Sequence, residues 1–125
     1  MATIIPSESQ EQKALFEWAE YARRIYPELA LMFHIPNGGS RNPVEARNLK
    51  YQGVKPGVPD ICLPVGRGKY HALYIEMKRK KGGRASDVQR GWIAALNRAG
   101  NKAVICKGWE EARQTILNYL KAEGD

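Results

Sequence analysis

The sequence predicts an α/β fold with a central mixed sheet of about four strands flanked by helices. Helical and strand-like patterns alternate along the chain in the order α-β-α-β-β-α-β-α, and turns rich in glycine and proline separate them. The chain has 125 residues, 43% of them hydrophobic, which is enough apolar material for one core. We therefore expect a single domain over residues 1–125.

The first half of the chain carries a helix, a strand and a second helix. Apolar residues at three- and four-residue spacings predict a helix from about Ser7, a suitable N-cap, to Tyr26, where a proline stops it. The apolar run Leu29–Ile35 predicts a buried strand that ends in a turn. A short helix is expected over Pro43–Gln52, because proline suits the first turn of a helix and glycine follows its end.

The second half of the chain opens with a hairpin. Asp60–Pro64 and Tyr70–Lys78 predict its two strands, joined by a short turn. A helix from a Ser86 cap to about Arg98, a strand over Lys102–Cys106 and a helix over Trp109–Lys121 follow.

The charge balance points to a polyanionic partner. The chain has 20 Lys and Arg residues against 13 Asp and Glu residues, a formal net charge of +7. Nucleic acid is the commonest partner of a small domain this basic, although charge alone also serves solubility.

Other classes of protein are excluded at this stage. The apolar runs fall short of the ~20 residues of a membrane-spanning helix, and the N-terminus lacks a signal-peptide pattern. Cys62 and Cys106 lie far apart and form no zinc or redox motif. We expect both to be reduced thiols in the core of a cytoplasmic protein.

Three ionisable residues of the hairpin are expected to meet at one end of the sheet. Asp60 begins the first strand, while Glu76 and Lys78 lie near the end of its antiparallel partner and share one face. Converging carboxylates need a cation, and Mg²⁺ is a natural one, with the carbonyl of Met77 as a further ligand. Lys78 would orient or deprotonate a water molecule, or stabilise charge in the transition state.

A purely structural interpretation of these residues stays open. Asp60 could cap a turn, and Glu76 with Lys78 could form an ion pair at a strand edge. The apolar run Tyr70–Ile75 before them favours a functional role, because a strand this apolar is typical of a sheet centre.

The order of these motifs resembles that of a known group of enzymes. Pro59-Asp60 followed by Glu76-Met77-Lys78 resembles the PD-(D/E)xK nuclease superfamily. The chain is more specifically similar to the VRR-NUC family, over about Ser7 to Leu117. The further segments that carry this resemblance are Ser7–Gln12, Ile35–Gly39, Gly53–Asp60 and Ser86–Gln89.

The resemblance implies a metal-dependent DNA endonuclease with a restriction-endonuclease-like core and Mg²⁺ or Mn²⁺ as cofactor. Asp60 and Glu76 would be metal ligands, Lys78 the catalytic lysine, and Gln89 the helical glutamine that shapes the site. It further implies a homodimer that cuts four-way (Holliday) junctions in DNA repair, in a bacterial or phage-infected cell. A flap or nicked-duplex nuclease, or a non-catalytic nucleic-acid-binding module, are the alternatives.

The family's site also includes a glutamate of the first helix. We favour Glu8, because its one-turn spacing from Gln12 matches the family pattern. Glu11 is the second choice, and Glu17 of the same helix stays open.

Basic and polar residues that flank the proposed site are candidates for holding DNA. They would contact phosphates without reading bases, although each could also be part of a solvated surface. The nearby His34 is expected to be a packed strand residue. The candidates are Asn37, Arg41, Lys50, Lys55, Arg79, Lys80, Lys81 and Arg84.

Overall fold

The computed structural model describes residues 4–36 and 42–122. No helix in these ranges is long and apolar enough to cross a membrane. In chain order the elements are α1 (Glu8–Ala22), a 3-10 helix (Pro27–Leu31), β1 (Phe33–His34), α2 (Pro43–Tyr51), β2 (Ile61–Leu63), β3 (Leu73–Lys78), α3 (Asp87–Arg98), β4 (Lys102–Lys107) and α4 (Trp109–Lys121).

The strands form one mixed sheet in the order β1-β2-β3-β4. β2 pairs antiparallel with both β1 and β3, whereas β3 and β4 are parallel. Helix α3 makes the crossover that parallel neighbours require. The predicted α/β architecture with a mixed four-stranded sheet is therefore confirmed.

The two faces of β3 differ in chemistry. Leu73, Ile75 and Met77 belong to the buried core, together with Leu15 of α1 and Ile116 of α4. Because side chains alternate along a strand, the remaining residues of β3 take the opposite face, and these include its two buried ionisable residues. One face of β3 therefore packs into the core, and the ionisable residues of the same strand lie on its other face.

Both helices that supply site residues begin with the same N-terminal motif. Ser7 and Gln10 form a reciprocal capping box at α1, and Ser86 and Gln89 form one at α3. A cap of this kind stabilises a helix by about 1 kcal/mol. The caps fix the residues at which α1 and α3 begin.

The strand predicted over Leu29–Ile35 is wrong for most of its length. Pro27 opens a 3-10 helix instead, in which the Leu29 amide donates to the Tyr26 carbonyl at 3.0 Å. Only Phe33–His34 pair with β2, and both residues are exposed. The apolar residues thus pack through one helical turn rather than through a buried strand.

Other boundaries differ by a few residues. Helix α1 ends at Ala22 rather than Tyr26, because the amides of Arg24 and Ile25 donate to carbonyls three residues back and tighten the last turn. The hairpin strands are shorter than predicted, although an isolated bridge between Arg67 and Tyr70 extends the pairing toward the turn. Cys62 and Cys106 are buried free thiols, as predicted.

Candidate active site

The hairpin register brings Asp60 to the end of β3. Ile61 pairs with Ile75, so one further step along the antiparallel ladder sets Asp60 opposite Glu76. The Met77 amide donates to the Asp60 carboxylate at 2.8 Å. This hydrogen bond holds the Asp60 side chain against the main chain of β3.

Glu76 is the most constrained group of the site. It is 1% exposed, and its Oε2 accepts a hydrogen bond from the side-chain amide of Gln89 at 3.2 Å. Its Oε1 is buried and has no hydrogen-bond partner among the described residues. Burial raises the pKa of the Glu76 carboxyl to about 8; the Asp60 carboxylate adds to the rise and the Lys78 ammonium opposes it.

Lys78 joins the carboxylates of two elements. It is 5% exposed, and its Nζ lies 3.4 Å from Glu76 Oε2 and 3.8 Å from Glu8 Oε1. A buried ammonium needs such partners because its desolvation is unfavourable. The structure thus brings Glu8 to the site, while Glu11 turns toward α4 and Glu17 is exposed.

The orientation of Gln89 follows from its place at the start of α3. Its Oε1 accepts from the Ser86 main-chain amide at 2.9 Å, and the Ser86 hydroxyl accepts from the Gln89 main-chain amide in return. The side-chain NH₂ is therefore directed at Glu76, to which it donates. One side chain both completes the helix cap and supports a site carboxylate.

The donor set suits a hard divalent cation. Asp60 and Glu76 offer carboxylate oxygens, and the Met77 main chain lies beside them. One of these oxygens is buried and has no hydrogen-bond partner within residues 4–36 and 42–122. In residues 4–36 and 42–122 no three His, Cys, Asp or Glu side chains are grouped to hold a metal. Mg²⁺ commonly binds through one or two carboxylates, with water and phosphate oxygens completing its shell. The residues present fit such an ion.

Comparisons with known proteins identify the family of the chain. A model of the VRR-NUC domain family matches residues 6–110. The chain belongs to the VRR-NUC family. A solved structure described as a VRR_NUC domain protein has a TM-score of 0.83 and 28% identity, over 98% of this chain and 95% of that one. No curated protein matches the chain. The resemblance predicted from the motifs is confirmed, and a VRR-NUC domain implies a nuclease that binds DNA.

The loop that leads into Asp60 is fixed against α3. The Trp92 indole donates to the Pro56 carbonyl at 3.1 Å. Gly57 has a φ of +86°, and an added Cβ would lie 2.5 Å from Cγ1 of Val88. Only glycine combines this backbone conformation with so close an approach to the helix.

The predicted DNA-binding residues differ in exposure and in their partners. Asn37 and Arg41 lie outside the described residues. Lys80 is 44% exposed, but its Nζ lies 3.1 Å from Glu110 and 4.0 Å from Glu11. Arg79 is half-buried, whereas the exposed candidates are Lys50, Lys55, Lys81 and Arg84.

His34 differs from its prediction as a packed strand residue. It is exposed on β1, and its Nδ1 lies 2.8 Å from the Asp60 carbonyl oxygen. The Ile35 amide donates to the same carbonyl. Sequence reasoning missed this neighbour of the site because only the β1–β2 pairing brings residues 34 and 60 together.

Proposed function

We propose that this chain is a Mg²⁺- or Mn²⁺-dependent endodeoxyribonuclease that hydrolyses phosphodiester bonds. The observation that carries the proposal is the convergence of Asp60, Glu76 and Lys78 at the end of β3, with a buried Glu76 oxygen that has no hydrogen-bond partner in the described part of the chain. A carboxylate oxygen that is buried without a hydrogen-bond partner is uncommon in a purely structural ion pair. An orphaned oxygen beside a second carboxylate favours a cation site.

Each residue has a distinct role in this proposal. Asp60, Glu76 and the carbonyl of Met77 would hold the ion, which supplies Lewis-acid polarisation of the phosphate and a more acidic water. Lys78 directs its ammonium to the place where negative charge develops on the phosphate. Glu8 and Gln89 fix the orientation of Lys78 and Glu76 through their contacts.

Exposed basic residues near the site support a role in holding the DNA backbone. Lys55 precedes Asp60 on the loop fixed to α3, and Lys81 and Arg84 follow β3. Arg79, which directly follows β3, adds a further positive charge. Such contacts position DNA by its phosphates and its shape, and they weaken as salt rises.

Recognition by shape leads us to propose branched DNA, such as four-way junctions, as the substrate, cut by a homodimer. Two copies related by a two-fold axis would present two sites to a symmetric branch. A flap or nicked duplex is the competing substrate.

A cleavage panel tests the proposal directly. End-labelled linear, flap, splayed and four-way DNAs are incubated with Mg²⁺, Mn²⁺ or EDTA. We expect cleavage with either metal, none in EDTA, and the fastest cleavage of the four-way DNA. Tight binding of every substrate without cleavage in any metal would instead indicate a non-catalytic nucleic-acid-binding module.

A further inference from the structure

A second charged cluster lies directly behind the site. Glu11 of α1 is 2% exposed, and its Oε1 accepts a hydrogen bond from the Trp109 amide at 3.1 Å. Lys80 Nζ lies 4.0 Å from Glu11 Oε2 and 3.1 Å from Glu110 Oε1. We call Glu11, Lys80, Glu110 and the Trp109 amide the α4 cluster. It joins α1, the segment after β3 and the first turn of α4.

The start of α4 explains why a buried glutamate is needed there. Its N-cap is Gly108, which has a φ of +87° and no side chain to accept from the helix amides. The stem of Lys80 occupies the space, because a Cβ on Gly108 would lie 2.7 Å from Lys80 Cε. Glu11 therefore provides from another helix the acceptor that a side-chain cap normally provides. Its acidic side chain also suits the positive end of the α4 dipole.

The α4 cluster is coupled to the site by chain geometry. Glu11 lies one helical turn after Glu8, so the two residues lie on neighbouring positions of one face of α1. Lys80 follows Lys78 by two residues. The cluster thus joins the same helix and the same strand end that bring Glu8 within 3.8 Å of Lys78. A shift of α1 at Glu11 would carry Glu8 away from the ammonium.

We propose that Glu11 and Lys80 are positioning residues that hold Glu8 against Lys78, and that Lys80 is not a phosphate contact. The inference rests on the proposed nuclease function, because the Glu8–Lys78 pair belongs to that site. Lys80 is itself exposed, but two carboxylates balance its charge, whereas the exposed Lys81 has no ion pair among the described residues and stays in the proposed DNA surface.

Two neighbouring lysines provide a matched test. The affinity of Lys80→Ala and Lys81→Ala for a labelled four-way DNA is measured in EDTA at several salt concentrations. Loss of a phosphate contact lowers the salt slope by about 1, which we expect for Lys81→Ala. We expect Lys80→Ala to keep the wild-type slope but to lose about 10-fold or more in single-turnover cleavage at saturating DNA, because small misplacements of catalytic groups reduce rates strongly. A reduced slope or an unchanged cleavage rate in Lys80→Ala would overturn the proposal.

Glu11 is tested by a conservative pair of variants. Glu11→Gln keeps an oxygen for the Trp109 amide, whereas Glu11→Ala removes it. We expect faster hydrogen exchange at the Trp109 amide in Glu11→Ala and slow exchange, with partial recovery of cleavage, in Glu11→Gln. Equal exchange at Trp109 in wild type and Glu11→Ala would contradict the capping role. If Glu11→Ala fails to fold, hydrogen exchange at the Trp109 amide is measured in Glu11→Gln and Lys80→Ala instead. We expect this amide to stay protected in Glu11→Gln and to exchange faster in Lys80→Ala. The reverse pattern would overturn the proposal.

A double variant separates positioning from general stabilisation. If Lys80 acts through Glu8, adding Lys80→Ala to Glu8→Gln lowers cleavage no further, whereas independent effects multiply. A multiplied loss would count against the proposal. A wild-type chain that cleaves no DNA would overturn the proposed function alone, since the salt slopes and the Trp109 exchange still decide the role of the cluster.

Discussion

The carboxyl of Glu76 experiences two opposing electrostatic influences. Burial and the Asp60 carboxylate favour its protonated form, while the Lys78 ammonium favours the ionised form. Burial and Asp60 together outweigh Lys78, so the pKa of Glu76 rises from 4.5 to about 8. Without a cation, the protonated form of the Glu76 carboxyl is therefore favoured near neutral pH. A divalent cation at this position would favour the ionised form.

The raised pKa makes the stability of the metal-free protein depend on pH. The contribution of the neutral Glu76 carboxyl is fully present below about pH 4.5 and is lost as the pH rises through about 8, because the unfolded chain ionises first. In EDTA, the free energy of unfolding of wild type should fall by on the order of 2–4 kcal/mol relative to Glu76→Gln across this window. Urea titrations of both proteins measure the difference, and parallel pH profiles would contradict it.

Lys78 is expected to act on turnover rather than on DNA binding. Its ammonium is buried against Glu76 and Glu8, so it is not part of the exposed basic surface. Lys78→Ala should lower single-turnover cleavage by about 100-fold or more, with DNA affinity within about two-fold of wild type. Lys107 lies beside Lys78 in the β3–β4 register and is exposed, so Lys107→Ala is the matched control. Full activity of Lys78→Ala would remove the mechanism.

Short-range sequence patterns predict that the central residues of the site meet, but they do not indicate the contacts that hold these residues in place. Strand alternation and antiparallel pairing are short-range properties, so they place Asp60, Glu76 and Lys78 together without knowledge of the rest of the fold. The contact of Glu11 with Trp109 spans 98 positions of sequence, and no periodicity reports it. The same holds for Lys80, whose ion-pair partners come from α1 and α4 and are not indicated by its spacing from the site.

At the scale of elements, the same contrast separates helices from short strands. Helices α3 and α4 match their predicted ranges closely, because a capping serine or an amphipathic period marks them along the chain. Strand β1 consists of Phe33–His34 alone, and its extent depends on β2 rather than on its own sequence. The apolar run before it satisfies helical and extended patterns equally, and Pro27 decides between them.

The loop before Asp60 allows a matched test of how an element positions the site. Gly53 and Gly57 both have positive φ values, +98° and +86°, but only Gly57 contacts α3. Gly53→Ala should destabilise the fold by about 1 kcal/mol through backbone strain alone. Gly57→Ala adds the clash with Val88, so we expect a loss of about 2–3 kcal/mol together with reduced cleavage. Equal losses in thermal unfolding of the two variants would show that the contact with α3 is unimportant.

At the scale of the whole molecule, the site occupies one end of the sheet while the core occupies one face. The apolar side chains of β3 pack against α1 and α4, and its polar ones meet α3 and the start of α1. The residues of the site thus come from α1, the loop before β2, β3 and α3. A small domain can therefore bring the candidate site residues together with few additional residues.

Paired cutting of a four-way DNA provides the last prediction, since it needs two such sites in one assembly. In a homodimer with one site in each copy, mixing wild type with excess Lys78→Ala forms heterodimers that retain one active site. These should nick one strand of the junction, so nicked product accumulates as the inactive fraction rises. Sedimentation of wild type should show a species of twice 14.1 kDa. A monomeric enzyme would instead show only slower cleavage from competition for DNA, with an unchanged ratio of nicked to fully cut product.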